Sequence, residues 1–242
     1  MKLGTLYGIG VGPGDPELLT VKAANILARC PHVFVPKARV KTESVALEIA
    51  RRFVSQTATV RELVFPMTRD TVELAQHWAE ATRQVAAVLE QGEDVCFLTL
   101  GDALLYSTYI YLLRELKRIL PAAQVVTVPG VTSFAAAAAL TNFPIGEGKE
   151  AVTIVPTADD LTAVRRALAV GGTVVLMKIG ERLAEILELL EQDGLLEESV
   201  FVARAGLEGQ RIETDLRQLK AAKAEAGYLS VVLVHAGARS KE

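Results

Sequence analysis

Leu3-Gly4-Thr5-Leu6-Tyr7-Gly8-Ile9-Gly10-Val11-Gly12-Pro13-Gly14-Asp15 is the stretch that decides how this chain is read. The apolar run Leu3 to Val11 breaks into glycines, and residues Glu17 to Arg29 follow with Leu18, Val21 and Ala24 on one helical face. A buried strand, a glycine loop and a helix, in that order, open an α/β fold. The loop is not a dinucleotide fingerprint, because the third glycine of G-x-G-x-x-G falls on Pro13 and the second strand region, Val33-Phe34-Val35-Pro36-Lys37, lacks the ribose-binding acid. It is not a Walker loop either, since no Gly-Lys-Ser/Thr follows. Asp15 suits a helix N-cap, which accounts for the aspartate but not for the glycines around it. Alternating glycines let a backbone approach another group without a Cβ clash, and the carboxyl end of a strand is where open α/β sheets take ligands.

The same alternation runs along the chain. Strands are expected at 33–35, 59–65, 95–100, 124–128, 151–155, 173–177, 199–203 and 228–236. Helices are expected at 17–29, 44–53, 71–91, 104–120, 133–141, 160–170 and 181–192. This is an α/β fold whose sheets are covered on both faces. Pro121-Ala122-Ala123 interrupts the pattern and suggests two domains, 1–120 and 121–242.

Of the 242 residues, half are hydrophobic and 23% are charged, with a net charge of -3. Such a chain has ample material for a core and lacks the basic excess of a nucleic-acid-binding protein. Cys30 and Cys96 lie in apolar surroundings and read as buried free thiols. His32, His77 and His235 stand at no metal-ligand spacing, so no structural metal is expected. The start shows no secretory h-region, and the run Phe134 to Leu140 falls far short of the ~20 residues of a membrane span, which suggests a cytoplasmic protein.

Two further strand ends resemble the first. Leu98-Thr99-Leu100-Gly101-Asp102 is followed by Tyr106-Ser107-Thr108, and Val128-Pro129-Gly130-Val131-Thr132-Ser133 leads into the alanine-rich helix. Taken singly, each is an ordinary capped turn. Together, at strand ends, they would line a crevice with backbone N–H, C=O and hydroxyl groups. Such a crevice suits an uncharged or zwitterionic ligand with an adenosine and an amino-acid end better than a polyphosphate.

Gly8 to Thr20, Gly101-Asp102, Val128 to Ser133 and Leu176-Met177-Lys178, in this order and spacing, resemble the signatures of the tetrapyrrole (corrin/porphyrin) methylases over essentially the whole chain. Val35-Pro36-Lys37-Ala38, Phe65 to Asp70, Leu105-Tyr106-Ser107-Thr108 and Arg204 to Arg211 resemble the members that methylate C20 of precorrin-2 or of cobalt-factor II. The resemblance implies two α/β domains with S-adenosylmethionine in the cleft between them, a homodimer, and a place in cobalamin biosynthesis. Carried over position by position, it implies donor contacts at Pro13, Leu100, Gly101, Asp102, Leu105, Thr132, Ser133, Met177, Gly206, Tyr228, Leu229 and Ser230. Two departures stand out. Ala103 replaces a common proline, and Pro36 stands where the uroporphyrinogen methyltransferases carry an aspartate proposed as general base.

The resemblance also implies the reaction, attack by the electron-rich C20 on the sulfonium methyl with release of S-adenosylhomocysteine. The protein's part is mainly to hold carbon and methyl ~3–3.5 Å apart and aligned. Asp102 is the candidate catalytic side chain, its alternative role being to cap or position its own loop. Lys37, Arg39, Arg69 and Lys178, with Lys41 and Arg204 beside them, are candidate partners for the substrate's carboxylates, since arginine grips these bidentately and lysine acts as a point charge. Other corrin-pathway ring methyltransferases and a non-catalytic tetrapyrrole-binding protein are the alternative readings.

Overall fold

In the computed structural model, the structure describes residues 2–37, 44–65, 70–157, 160–219 and 228–237. Arg39, Lys41 and Arg69 lie outside the described residues. The chain divides into two units, Met1–Thr132 and Ser133–Glu242.

The first unit is built on five parallel strands: β1 (Thr5–Gly10), β2 (His32–Lys37), β3 (Thr59–Val64), β4 (Val95–Thr99) and β5 (Gln124–Val128). Their order is β3-β2-β4-β1-β5. The chain runs from β1 out to β3, returns as β4 beside β1, and crosses to the far edge as β5. That change of direction is the kind of topological switch at which open α/β sheets leave a crevice at the strands' carboxyl ends. The β4 strand is buried throughout, as a central parallel strand covered by helices must be. Helices α1 (Val21–Leu27), α2 (Val45–Ala50), α3 (Thr71–Glu90) and α4 (Tyr109–Ile119) complete the unit. Leu6, Phe34, Val85, Leu89, Phe97, Tyr109, Leu112 and Leu116 form the heart of its core, each fully buried.

The second unit contains α5 (Ser133–Thr141), β6 (Val152–Pro156), α6 (Thr162–Val170), β7 (Thr173–Met177), α7 (Leu183–Gln192), β8 (Ser199–Ala203), β9 (Arg211–Glu213) and β10 (Ser230–His235). Its strand order is β6-β7-β10-β8-β9. β6 and β7 are parallel, while β10 runs antiparallel to both β7 and β8. Val164, Val174, Leu176, Ile186, Leu190, Phe201 and Val232 are buried in its core.

Three expectations shift. The helix expected from Glu17 starts at Val21, because Asp15 first caps a 3-10 turn over Pro16–Leu18 and Thr20 then caps α1, accepting from the Ala23 N–H at 3.2 Å. The helix expected from Leu104 starts at Tyr109. Its first residues are held out of the helix by Asp102, which takes the Leu104 N–H at 2.8 Å, and by Ser107, which donates to the Ala103 carbonyl at 2.6 Å. The break at Pro121 is the turn between α4 and β5, and β5 then pairs with β1 inside the first unit. β9, with no expected counterpart, pairs with β8 alone among the described residues. Cys30 and Cys96 are free and buried, and the hydrogen bond between them pushes the first thiol's pKa down and the second's up. No helix among the described residues is long and apolar enough to cross a membrane.

Candidate functional site

At the carboxyl end of the first sheet, the loops after β1, β4 and β5 meet. Gly12 and Gly101 form a reciprocal backbone pair, with Gly12 N–H donating to Gly101 O at 3.2 Å and Gly101 N–H to Gly12 O at 2.8 Å. Val11 N–H adds a bond to Thr99 O at 3.0 Å. The third loop joins through Gly130, whose N–H donates to Asp102 Oδ2 at 3.1 Å. The contact is close enough to demand glycine. A Cβ on Gly10 would lie 2.6 Å from Gly101 O and 2.7 Å from Gly130 N. The loop glycines therefore serve first to let the protein's own loops touch.

Gly101 differs. Its φ is +71°, and a Cβ there would meet nothing within 4 Å. Its own N–H and C=O are taken up by Gly12, and the open space lies on the side where a side chain would stand, which leaves room for a ligand against the backbone. Around it, Pro13 is buried and Leu100 and Leu105 are half-buried. Thr132, the last residue of this unit, is half-buried as well. Both oxygens of Asp102 are engaged: Oδ1 accepts from Leu104 N–H and Oδ2 from Gly130 N–H. Its carboxylate ties two loops together.

In the second unit, Met177, Leu229 and Ser230 gather at one end of the sheet. Met177 is the register partner of Val231, and Ser230 that of Ala203. The Met177 carbonyl accepts from both the N–H and the hydroxyl of Thr157, at 2.9 and 3.1 Å. Arg204 N–H donates to Leu229 O at 2.9 Å. Lys178, Arg204 and Leu229, all at this end, hold positive φ values of 55°, 52° and 52°. Non-glycine residues rarely adopt that conformation, and its clustering marks strain of the kind found at ligand sites. Gly206 N–H donates to Gln210 Oε1 at 2.7 Å, folding the loop after β8 upon itself. Tyr228 is exposed and Ser133 opens α5. Gly101 and Asp102 thus stand where the first unit's loops meet, and Met177, Leu229 and Ser230 at one end of the second unit's sheet.

The cations separate. Lys37 is paired with Glu62 on the neighbouring β3 and only 10% of its side chain is exposed, so its charge is largely spent within the sheet. Arg204 Nε donates to Glu208 O at 2.6 Å, bracing its own loop. Lys178 is exposed beside Met177. Among the described residues, no group of three or more His, Cys, Asp or Glu is arranged to hold a metal ion.

Sequence reasoning missed Tyr109. Its ring fills the space above Gly8, where a Cβ would lie 2.1 Å from ring carbon, and its hydroxyl shares a hydrogen bond with Thr127 at 3.1 Å. Burial raises its pKa. The only hint was the glycine itself, a strand residue without a side chain opposite a later aromatic.

Comparison with known proteins adds to this geometry. The family profile of the tetrapyrrole (corrin/porphyrin) methylases matches residues 5–220. The chain is 36% identical to a cobalt-precorrin-2 C(20)-methyltransferase of Salmonella typhimurium, covering 96% of both chains. It is 29% identical to a precorrin-2 C(20)-methyltransferase of a Sinorhizobium species, covering 96% of this chain and 95% of that one. A uroporphyrin-III C-methyl transferase of Thermus thermophilus, solved with S-adenosylhomocysteine, superimposes with a TM-score of 0.63 at 23% identity, covering 96% of this chain and 92% of that one. A glycine-lined strand end of this kind, in a chain matched by the profile almost from end to end, places the protein in the tetrapyrrole methylase family.

Proposed function

We propose that this protein transfers a methyl group from S-adenosylmethionine to C20 of precorrin-2 or cobalt-precorrin-2, in cobalamin biosynthesis. The observation that carries donor binding is the Gly12–Gly101 pair with open space at Gly101, clasped to Gly130 through Asp102. The choice of C20 rests on the two relatives named for that reaction, which this chain matches over 96% of its length.

In this reading the donor contacts are those that the family resemblance implies, at Pro13, Leu100, Gly101, Asp102, Leu105, Thr132, Ser133, Met177, Gly206, Tyr228, Leu229 and Ser230. Bound there, S-adenosylmethionine supplies an electrophilic methyl on a sulfonium centre. The chain's own part is orientation. Backbone N–H and C=O groups at the strand ends hold the polar parts of the donor, while Leu100 and Leu105 keep water from its apolar side. In this reading Asp102 acts as the clasp that sets loop shape, each of its oxygens accepting from a backbone N–H of a different loop segment. For the substrate's carboxylates, Lys178 is the candidate cation, exposed beside Met177. A homodimer, carried over from the family resemblance, and a cytoplasmic location complete the reading.

The test is incubation with donor and either precorrin-2 or cobalt-precorrin-2, followed by carbon NMR to place the new methyl. A methyl at another ring carbon would overturn the regiochemistry. Calorimetry with S-adenosylhomocysteine tests the class. A protein giving no heat of binding is a tetrapyrrole-binding protein rather than a methyltransferase.

A further inference from the structure

The segment between Asp102 and α4 is not helical although its sequence would allow a helix, and side chains pin its backbone at Ala103, Leu104 and Tyr109. Asp102 Oδ1 takes the Leu104 N–H at 2.8 Å. Ser107 Oγ donates to the Ala103 carbonyl at 2.6 Å and accepts from the Tyr109 N–H at 3.0 Å. Ala103 is fully buried, and Ser107 and Tyr109 are buried with it. The pins leave the alternate residues pointing outward: Leu104 is 54% exposed and Tyr106 is 40% exposed. Tyr106 has a φ of 52°. A bulky residue at positive φ is an outlier, costly in backbone energy and easily avoided by glycine or asparagine. A tightly braced loop that holds a tyrosine in this conformation, next to a leucine that water covers, is built to present side chains.

We propose that Leu104 and Tyr106 form an apolar platform that receives the face of the tetrapyrrole ring. The proposal rests on the function proposed above and names the part of the site that meets the larger substrate. The platform lies two to four residues beyond Asp102, in the loop whose other end carries the Gly12–Gly101 pair. The open space beside Gly101 is suited to a small polar donor. Apolar side chains standing beyond that backbone layer suit a broad ring system, whose π-face stacks on tyrosine and packs on leucine.

The test uses the full-length protein and four variants: Tyr106→Phe, Tyr106→Asn, Tyr106→Gly and Leu104→Ser. Anaerobic absorbance titration with precorrin-2, calorimetry with S-adenosylhomocysteine, thermal unfolding and sedimentation are measured on each. Tyr106→Asn and Tyr106→Gly accommodate positive φ, so they fold at least as stably as the parent. They are expected to weaken precorrin-2 binding about tenfold, the scale of a lost aromatic stack, with the S-adenosylhomocysteine affinity unchanged. Tyr106→Phe is expected to keep most of the precorrin-2 affinity, and Leu104→Ser to lose part of it. Unchanged precorrin-2 binding in the Asn and Gly variants would overturn the platform. So would equal losses for both ligands, which would mean a change of loop shape, or a shift in sedimentation, which would make this surface a contact between copies. Failure of the wild type to bind precorrin-2 sinks the platform outright. Tyr106-dependent binding of precorrin-2 without methyl transfer would leave the platform standing and remove the proposed reaction.

Discussion

The Asp102 carboxylate spans two loops, accepting from the N–H of Leu104 at 2.8 Å and from that of Gly130, in the loop after β5, at 3.1 Å. An aspartate at this position can be read as a base or as a brace, and the two roles separate experimentally. Asp102→Asn keeps one acceptor and turns its amide N–H₂ or its oxygen toward each partner in turn, so one bond is lost. Asp102→Ala loses both. Hydrogen bonds to a charged group contribute about 1.5–3 kcal/mol each. The expected outcome is a graded fall in S-adenosylhomocysteine affinity and in Tm, with Ala worse than Asn. A base would instead lose kcat in the Asn variant while ligand affinity stayed intact.

Gly10 and Gly101 should respond differently to the same added methyl. A Cβ at Gly10 is driven into Gly101 O at 2.6 Å and Gly130 N at 2.7 Å, both backbone atoms that cannot rotate away. Gly10→Ala is expected to force the loops apart and cost about 1–3 kcal/mol, the scale of overpacking, together with most of the donor affinity. At Gly101 the space is open and only the φ of +71° resists, so Gly101→Ala should cost about 1–2 kcal/mol. Urea melts and calorimetry on the two variants decide. Equal stability of Gly10→Ala and wild type would refute the close packing.

Tyr109 links stability to alkaline pH. Burial raises its pKa above the usual tyrosine value of about 10. Its stabilising contribution is therefore fully present below about pH 10 and is lost as pH rises through the folded-state value. Tyr109→Phe removes the ionisation and the bond to Thr127. The variant should be less stable by about 0.5–1.5 kcal/mol at pH 8 and should lack part of the wild-type decline above pH 10. Denaturant midpoints across pH 8 to 11 measure both. Parallel profiles for the two proteins would remove Tyr109 as the titrating group.

Lys178 combines a positive φ of 55° with an exposed charge beside Met177. Lys178→Gly relieves about 1–2 kcal/mol of left-handed strain, offset in part by about 0.5–1 kcal/mol of added chain entropy. Stability is thus expected to hold or rise slightly. KM for the tetrapyrrole should rise, and the rise should shrink as added salt screens the lost attraction, because a cationic partner for a carboxylate is removed. An unchanged KM, measured at constant ionic strength, would take Lys178 out of substrate binding.

Much of this architecture is visible in the order of residues. Alternating apolar runs and amphipathic stretches place every strand of the first sheet, and the α3 helix is found within one residue of its expected end. The errors have local causes. Thr20 and Asp15 are both good caps, and a pattern of apolar residues alone cannot tell which one starts the helix. Leu104 to Thr108 has helical spacing, but side-chain bonds from Asp102 and Ser107 compete for its backbone. The pairing of Lys37 with Glu62, 25 residues away, was not legible either, because it depends on β2 and β3 lying side by side.

From composition and periodicity come the α/β class, the glycine-rich strand ends and the exclusion of dinucleotide and Walker loops, because these follow from spacing along one short segment. Tertiary structure alone decided what the glycines touch. Gly8 meets Tyr109, and Gly10 meets Gly101 and Gly130, through contacts between segments about 90 to 120 residues apart in sequence, which strand order creates and no local pattern encodes. It also decided which N–H groups stand within reach of the two Asp102 oxygens, those of Leu104 and Gly130, the second from a loop 28 residues away.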